Sequence, residues 1–278
     1  MKHPPTTPFF LPGAAGGRFC LYHAPVSASA ARGAFVYIHP FAEEMNCARR
    51  IAAEQSRRLA ACGFGVLQID LTGCGDSCGE LRDVRWHIWQ QDVVDAARWL
   101  TQNCSPAVSL WGLRAGALLA MDTLAQLDAV PPHLLLWQPV TSGERFLTQF
   151  LRVALARRMG NADSAGHSKT SAMRAALAAG DVLEIAGYEL SGKLADDLQA
   201  VHAPDALAPA TRVYWLETAP AGEALPAASA RLHAAWRAEG ASVDAELIDT
   251  APFWSVPGHA ISAPLIDATL RMLAQEAA

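Results

Sequence analysis

The chain has 278 residues, 51% of them hydrophobic and 18% charged, with a formal net charge of -5. That balance supports a sizeable buried core, excludes a disordered chain, and excludes a nucleic-acid binder, which needs a basic surface. No apolar run reaches the roughly 18 residues of a membrane span, and prolines interrupt the N-terminal MKHPPTTPFFLPG where a signal peptide needs an unbroken apolar helix, so a soluble, cytoplasmic protein is expected.

The first 30 residues are rich in Pro, Gly, Ala and Ser around a short apolar patch, Phe19–Tyr22. Ala34–His39 is a β-branched and aromatic run closed by Pro40, and reads as a strand. Apolar residues then recur at helical spacing from Cys47 to Cys62, with Gly63 as the stop. Strands at Val66–Leu71, Ala107–Trp111 and Leu134–Trp137 alternate with helices at Trp86–Leu100 and Ala115–Leu127. Such alternation predicts an α/β protein with a mostly parallel central sheet and helices on both faces. The rhythm breaks between residues 143 and 209, which are Ala-rich and helical in pattern, with no convincing strand before Val213–Leu216. It resumes with that strand, a helix over Pro226–Glu239, a strand at Val243–Ile248 and a last helix near Pro264–Gln275. The expected organisation is a core of residues 1–142 and 210–278 with a helical cap, or lid, over 143–209. Glu144–Arg174 carries six basic side chains against two acidic ones.

The six cysteines offer no four-ligand set: Cys74 and Cys78 have three residues between them, with no second pair or nearby His. Free thiols, no metal and no cofactor are expected. Trp86 and Trp89 read as core or pocket wall, Asp92 as a helix-surface or cap contact, Ser77 as a turn-stabilising hydroxyl, and His39 as a backbone-bonded loop histidine.

The most informative segment is Ser109-Leu-Trp-Gly112-Leu-Arg114-Ala-Gly116. A strand runs into a glycine, and a second glycine four residues on opens a helix. That is the outline of the nucleophile elbow, G-x-S-x-G, where small residues allow a sharp turn and close helix–strand packing. His39-Pro40-Phe41 ends an early strand where an oxyanion loop lies, and Asp70-Leu-Thr-Gly73-Cys-Gly75-Asp-Ser77 follows the next strand as a D-x-x-G-x-G-x-S turn. These landmarks in order predict an α/β-hydrolase fold with a helical cap insertion.

The motifs Pro40-Phe-Ala-Glu43-Glu44-Met-Asn46 with Arg49-Arg50, Gly73–Ser77, Leu110–Arg114, Thr148–Arg152 and Pro252-Phe-Trp254 together resemble the exosortase A system-associated hydrolase 2 family of the α/β-hydrolase superfamily. The resemblance covers most of the chain, least the N-terminal 30 residues. It implies a hydrolase of undefined reaction, linked to bacterial exopolysaccharide and protein-sorting systems. It also implies that Phe253-Trp254 occupies the place of the catalytic base.

At the elbow tip, where the superfamily has Ser, Cys or Asp, stands Arg114. A guanidinium stays protonated and is not a nucleophile, so an acyl-enzyme at that position is closed. A cation projecting into a pocket needs a partner, and Glu43 and Glu44 on the oxyanion-side loop supply one, as an ion pair or triad. Such a pair is either a structural bridge, or a clamp for a substrate carboxylate or phosphate that leaves one Glu free as general base on water. Glu217 ends its strand where the triad acid belongs, and His259, in Pro257-Gly258-His259, lies where the base belongs. Each is also readable as a bystander. The backbone N–H groups of Phe41 and Ala115 are the oxyanion-hole candidates, and Arg114, Trp254 and Phe150 the substrate-binding ones. Phe146, Leu147, Phe150, Leu151, Leu155 and Met159 form an apolar stripe flanked by Arg145, Arg152, Arg157 and Arg158. It reads as a cap helix packed on the body, or as a lid over an apolar, anionic ligand. Two functions stay open: a hydrolase acting on an acyl ester or thioester, and a pseudohydrolase that binds an anionic acyl ligand or a partner protein.

Overall fold

A computed structural model describes residues 6–14, 16–27, 31–159, 166–255 and 262–274; the side chains of 153–159 and 166–169 lie outside that description. Eight strands form one sheet: β1 (Thr6–Leu11), β2 (Arg18–His23), β3 (Gly33–Ile38), β4 (Phe64–Ile69), β5 (Val108–Leu113), β6 (His133–Trp137), β9 (Arg212–Thr218) and β10 (Ser242–Ile248). A separate hairpin consists of β7 (Val182–Ile185) and β8 (Tyr188–Ser191). The sheet order is β1-β2-β4-β3-β5-β6-β9-β10. Strands β4 through β10 in that order are parallel, and β1 and β2 are antiparallel to their neighbours.

The helices are α1 (Glu43–Ala61), α2 (Trp86–Asn103), α3 (Ala115–Thr123), α4 (Gly143–Met159), α5 (Gly166–Ala178), α6 (Gly192–Ala200), α7 (Ala227–Ala238) and α8 (Ala263–Ala274). The two-residue period of the strands sorts their side chains into two cores. Ala34, Val36 and Ile38 of β3 join Val213 and Trp215 of β9 on the face covered by α2, α3 and α7. Phe35, Tyr37, Trp111, Trp137 and Tyr214 fill the other, beneath α1 and α8. A parallel sheet covered on both faces is what makes these strands continuous apolar runs.

Three features depart from the sequence expectations. The opening segment forms the β1–β2 hairpin, which adds two strands to the sheet edge beside β4. Helix α1 starts at Glu43, four residues before the apolar periodicity begins, so Glu43 and Glu44 sit in its first turn, not in a loop. The segment between β6 and β9 is not wholly helical, because it holds the β7–β8 hairpin between α5 and α6. The hairpin turn Ala186-Gly187 has positive φ at both residues, 53° and 87°, the geometry that two-residue hairpin turns need and glycine supplies readily. Phe146, Leu147 and Leu151 of α4 pack into the α2–α3 core. Leu155, Met159, Arg157 and Arg158 of the stripe lie outside the described side chains.

Other expectations meet specific contacts. Ser77 donates to the Asp70 carbonyl (2.5 Å) and accepts from the Phe19 amide (2.8 Å), stitching the turn after β4 to β2. His39 bonds the Pro40 carbonyl (2.7 Å) and the Leu71 amide (3.2 Å) through its two ring nitrogens. Asp92 is not a helix-surface contact. It is buried, pairs with Arg18 at 2.8 Å and accepts from the Thr72 amide at 2.7 Å.

Candidate functional site

The elbow forms as its glycines require. A Cβ on Gly112 would stand 2.4 Å from the Ala117 Cα, and one on Gly116 2.3 Å from the Ile38 carbonyl oxygen. Both distances are well inside van der Waals contact, so strand β5 and helix α3 meet this closely only without those side chains. Between them Arg114 takes φ 57° and ψ -119°, a strained region for a non-glycine residue. Its amide donates to the Trp137 carbonyl and its carbonyl accepts from the Val140 amide, which fixes the turn to the end of β6. Ala42, between β3 and α1, has nearly the same backbone, φ 54° and ψ -129°. The loops after β3 and β5 are therefore two similar sharp turns, side by side at the carboxyl ends of parallel strands, where open α/β sheets bind ligands.

The Arg114 guanidinium meets Glu44. Its Nε donates to both carboxylate oxygens at 3.3 and 3.4 Å, and Nη2 to Oε1 at 3.2 Å. The side chains are only 12% and 23% exposed, so solvent screens this pair less than a surface bridge. Arg114 also lies 5.5 Å from the centre of the Trp254 ring, in cation–π contact. Its Nη1 has no acceptor among the described residues. Burial pushes the Glu44 carboxyl above its ordinary value, with the Arg114 charge and hydrogen bonds working against that rise.

Glu43 is not in the pair. It accepts from the Tyr188 hydroxyl at 3.2 Å and from Asn46 Nδ2 at 3.3 Å. Of the two acidic partners the sequence offered to Arg114, the structure thus selects one, because the hairpin from the insertion takes the other.

These groups open on a cavity of about 140 Å³. Its walls are Phe41, Phe146, Phe150, Ile185, Tyr188 and Trp254, with Glu43, Glu44 and Arg114 as the charged part. Phe41 packs edge-on against both Phe146 (5.8 Å) and Phe150 (5.1 Å). The proposed oxyanion donors are neighbours: Phe41 and Ala115 flank one small apolar gap with His39 and Gly116. Ala115 is the first residue of α3, so its amide has no acceptor within its own helix.

Glu217 is placed elsewhere. It lies buried near the end of β9, where its Oε1 accepts from Trp215 Nε1 (2.7 Å) and Ser229 Oγ (2.5 Å), and it does not line the cavity. Trp215 and Glu217 are two residues apart, so both point to the α7 face of the sheet. His259 lies outside the described residues. The site thus unites Phe41, Glu43, Glu44, Arg114, Ala115, Phe150 and Trp254, and leaves Glu217 apart. Tyr188, Ile185 and Gln149 also line the cavity and were not foreseen; the Ala186-Gly187 turn flanked by Ile185 and Tyr188 was the available signal for the first two.

No protein-family model matches the chain, and no curated protein matches it in sequence. Solved structures do resemble it in fold. Est1E from Butyrivibrio proteoclasticus superposes with a TM-score of 0.65 at 12% identity, covering 98% of this chain and 99% of that one. A lipase/esterase from Lactobacillus plantarum gives 0.59 at 13% identity over 98% of each chain. An α/β serine hydrolase from Xanthomonas campestris gives 0.56 at 16% identity, over 98% and 92%. The likeness spans nearly the whole chain and establishes the α/β-hydrolase fold.

Proposed function

We propose that this α/β-hydrolase-fold chain hydrolyses an activated acyl ester or thioester by direct attack of water, without an acyl-enzyme. The observation that carries the reading is Glu44: a carboxylate shielded from solvent, raised in pKa, and fixed by the elbow Arg114 at the edge of an aromatic cavity. Raised carboxylates in clefts are candidates for proton transfer, because a base works best with a pKa near the working pH. Glu44 takes a proton from water as its oxygen adds to the acyl carbon. The resulting oxyanion is held by the Phe41 and Ala115 amides and by Arg114 Nη1. Collapse expels the thiolate or alkoxide, and Glu44 returns the proton. Phe150 and Trp254 bind the acyl group, and the segment 143–209 serves as the lid. Water lacks the advantage of a covalent nucleophile, which restricts the reaction to good leaving groups.

A second reading is favoured by the unpartnered Nη1 of Arg114: a non-catalytic protein that binds an acyl carboxylate or phosphate there. Either activity, carried out in the cytoplasm beside bacterial exopolysaccharide or protein-sorting machinery, fits the motif resemblance. The test is the pH–rate profile on p-nitrophenyl and thioester substrates, with intact-mass analysis during turnover. The hydrolase reading expects a rate that rises with pH through an ionisation above the ordinary carboxylate range, with no acylated protein. An accumulating acyl adduct overturns it, and turnover of no substrate leaves the binding reading in its place.

A further inference from the structure

The aromatic cavity has a neighbour. A second hollow of about 220 Å³ lies among Met45, Asn46, Gly73, Cys74, Gly75 and Tyr188, and Tyr188 lines both spaces. Tyr188 is held where it stands. Its hydroxyl donates to Glu43 (3.2 Å) and accepts from Asn46 Nδ2 (3.0 Å), while Asn46 also donates to Glu43 (3.3 Å). The next residue, Glu189, pairs with Arg82 at 3.3 Å. The turn at Ala186-Gly187 therefore brings a fixed phenol between two hollows.

The first cavity matches about one benzene-sized group, judged against an apolar cavity of roughly 150 Å³ that holds benzene. An acyl group of about that size fills it, and whatever is joined to the acyl carbon beside Glu44 has to continue elsewhere. The hollow beyond Tyr188 adjoins it. No Lys, Arg, Asp or Glu side chain lines that hollow, and the Glu43 carboxylate stands behind Tyr188. Arg49 reaches the Gly75 wall, but its guanidinium is paired with Asp70 at 3.1 Å, so no unpaired cation stands among these residues to neutralise an anion. Asn46 Oδ1 has no donor among the described residues and the Tyr188 oxygen is at hand, so both can engage a ligand hydroxyl.

We propose that this second hollow is a subsite for an uncharged, hydroxyl-bearing portion of the ligand, with Tyr188 and Asn46 as its specificity-determining residues. The inference rests on the acyl-ligand reading above and assigns the other half of the molecule.

The experiment compares three thioesters, S-methyl, S-(2,3-dihydroxypropyl) and S-carboxymethyl thiobutyrate, on the full chain, because the proposed reaction needs a good leaving group. It reads kcat/KM where hydrolysis is detected and Kd by titration calorimetry where it is not. The dihydroxypropyl thioester is expected to be preferred over the methyl thioester by about tenfold, the worth of one well-formed hydrogen bond, and the carboxymethyl thioester to be the poorest. Tyr188→Phe and Asn46→Leu, two variants made separately, should each bring the first ratio close to one. Equal treatment of the methyl and dihydroxypropyl thioesters by the wild-type chain, a ratio unmoved in both variants, or a preference for the anionic thioester overturns the subsite. If none of the thioesters is bound or hydrolysed, the acyl-ligand reading itself falls, and the subsite with it.

Discussion

Buried histidines should set the acid limit of this protein. His23 is buried on β2, between Thr6 Oγ1 (3.1 Å from Nδ1) and Gln68 Nε2 (3.2 Å from Nε2). Gln68 Nε2 also donates to Ser56 Oγ, whose own proton goes to the Ala52 carbonyl. That chain of donors leaves His23 Nε2 as an acceptor, so the neutral ring is the one that fits. His233 of α7 is buried against Trp215 and Trp236, and its Nε2 has no partner among the described residues. Burial and a nearby arginine lower both pKa values from 6.5 to about 4. Between those values the unfolded chain binds the protons and the folded chain does not, so stability is complete above pH 6.5 and falls as pH drops towards 4. Each histidine therefore costs about 3 kcal/mol by pH 4, at about 1.4 kcal/mol per pKa unit. They sit on different elements, so the effects should nearly add, to about 6 kcal/mol of a typical 5–15 kcal/mol total. Buried His39, whose pKa burial also lowers, adds to the fall, whereas Glu44 and Asp92, with raised pKa values, work with the opposite sign and soften it. Urea unfolding followed by circular dichroism at pH 7, 6, 5 and 4.5, for wild type and His233→Phe, tests this. The variant should lose about 3 kcal/mol of the pH dependence. A wild-type stability flat across that range, or an identical slope in the variant, would refute the reasoning.

Other consequences are as specific. Gly116→Ala places a methyl 2.3 Å from the Ile38 carbonyl oxygen, backbone that cannot yield cheaply, and should cost about 3 kcal/mol or more in chemical denaturation. Glu217→Ala removes the acceptor of Trp215 Nε1 and Ser229 Oγ and should destabilise by about 2–4 kcal/mol, visible as a lower Tm. Arg114→Met takes away the cation that holds the Glu44 pKa down. The acid limb of its pH–rate profile should move to higher pH than in the wild type, and a limb that moves lower or stays in place would contradict the pairing.

The sheet was legible because burial on both faces writes itself as runs such as Ala34-Phe-Val-Tyr-Ile, and the elbow because Gly112 and Gly116 have no alternative at those contact distances. What escaped has a common cause, dependence on partners distant in sequence. Glu43 and Glu44 carry no apolar periodicity, so the start of α1 was invisible. Strand β1 is largely exposed, β7 and β8 are only four residues each, and the alternation of all three is weak. The choice of Glu44 over Glu43 was set by Tyr188, more than 140 residues away along the chain. Glu217 stands at the end of its strand as the sequence suggests, yet the parity of β9 turns it with Trp215 to the α7 side. Which carboxylate is available for chemistry thus follows from tertiary packing, not from position in a motif.

The most direct measurement is kcat/KM for wild type and Glu44→Gln on a panel of acyl p-nitrophenyl esters and acyl thioesters, with folding of the variant verified by its circular dichroism. Loss of general-base assistance should lower turnover by about 10²–10⁴-fold. Wild-type turnover that Glu44→Gln leaves intact would place the chemistry elsewhere and contradict the central role given to this carboxylate.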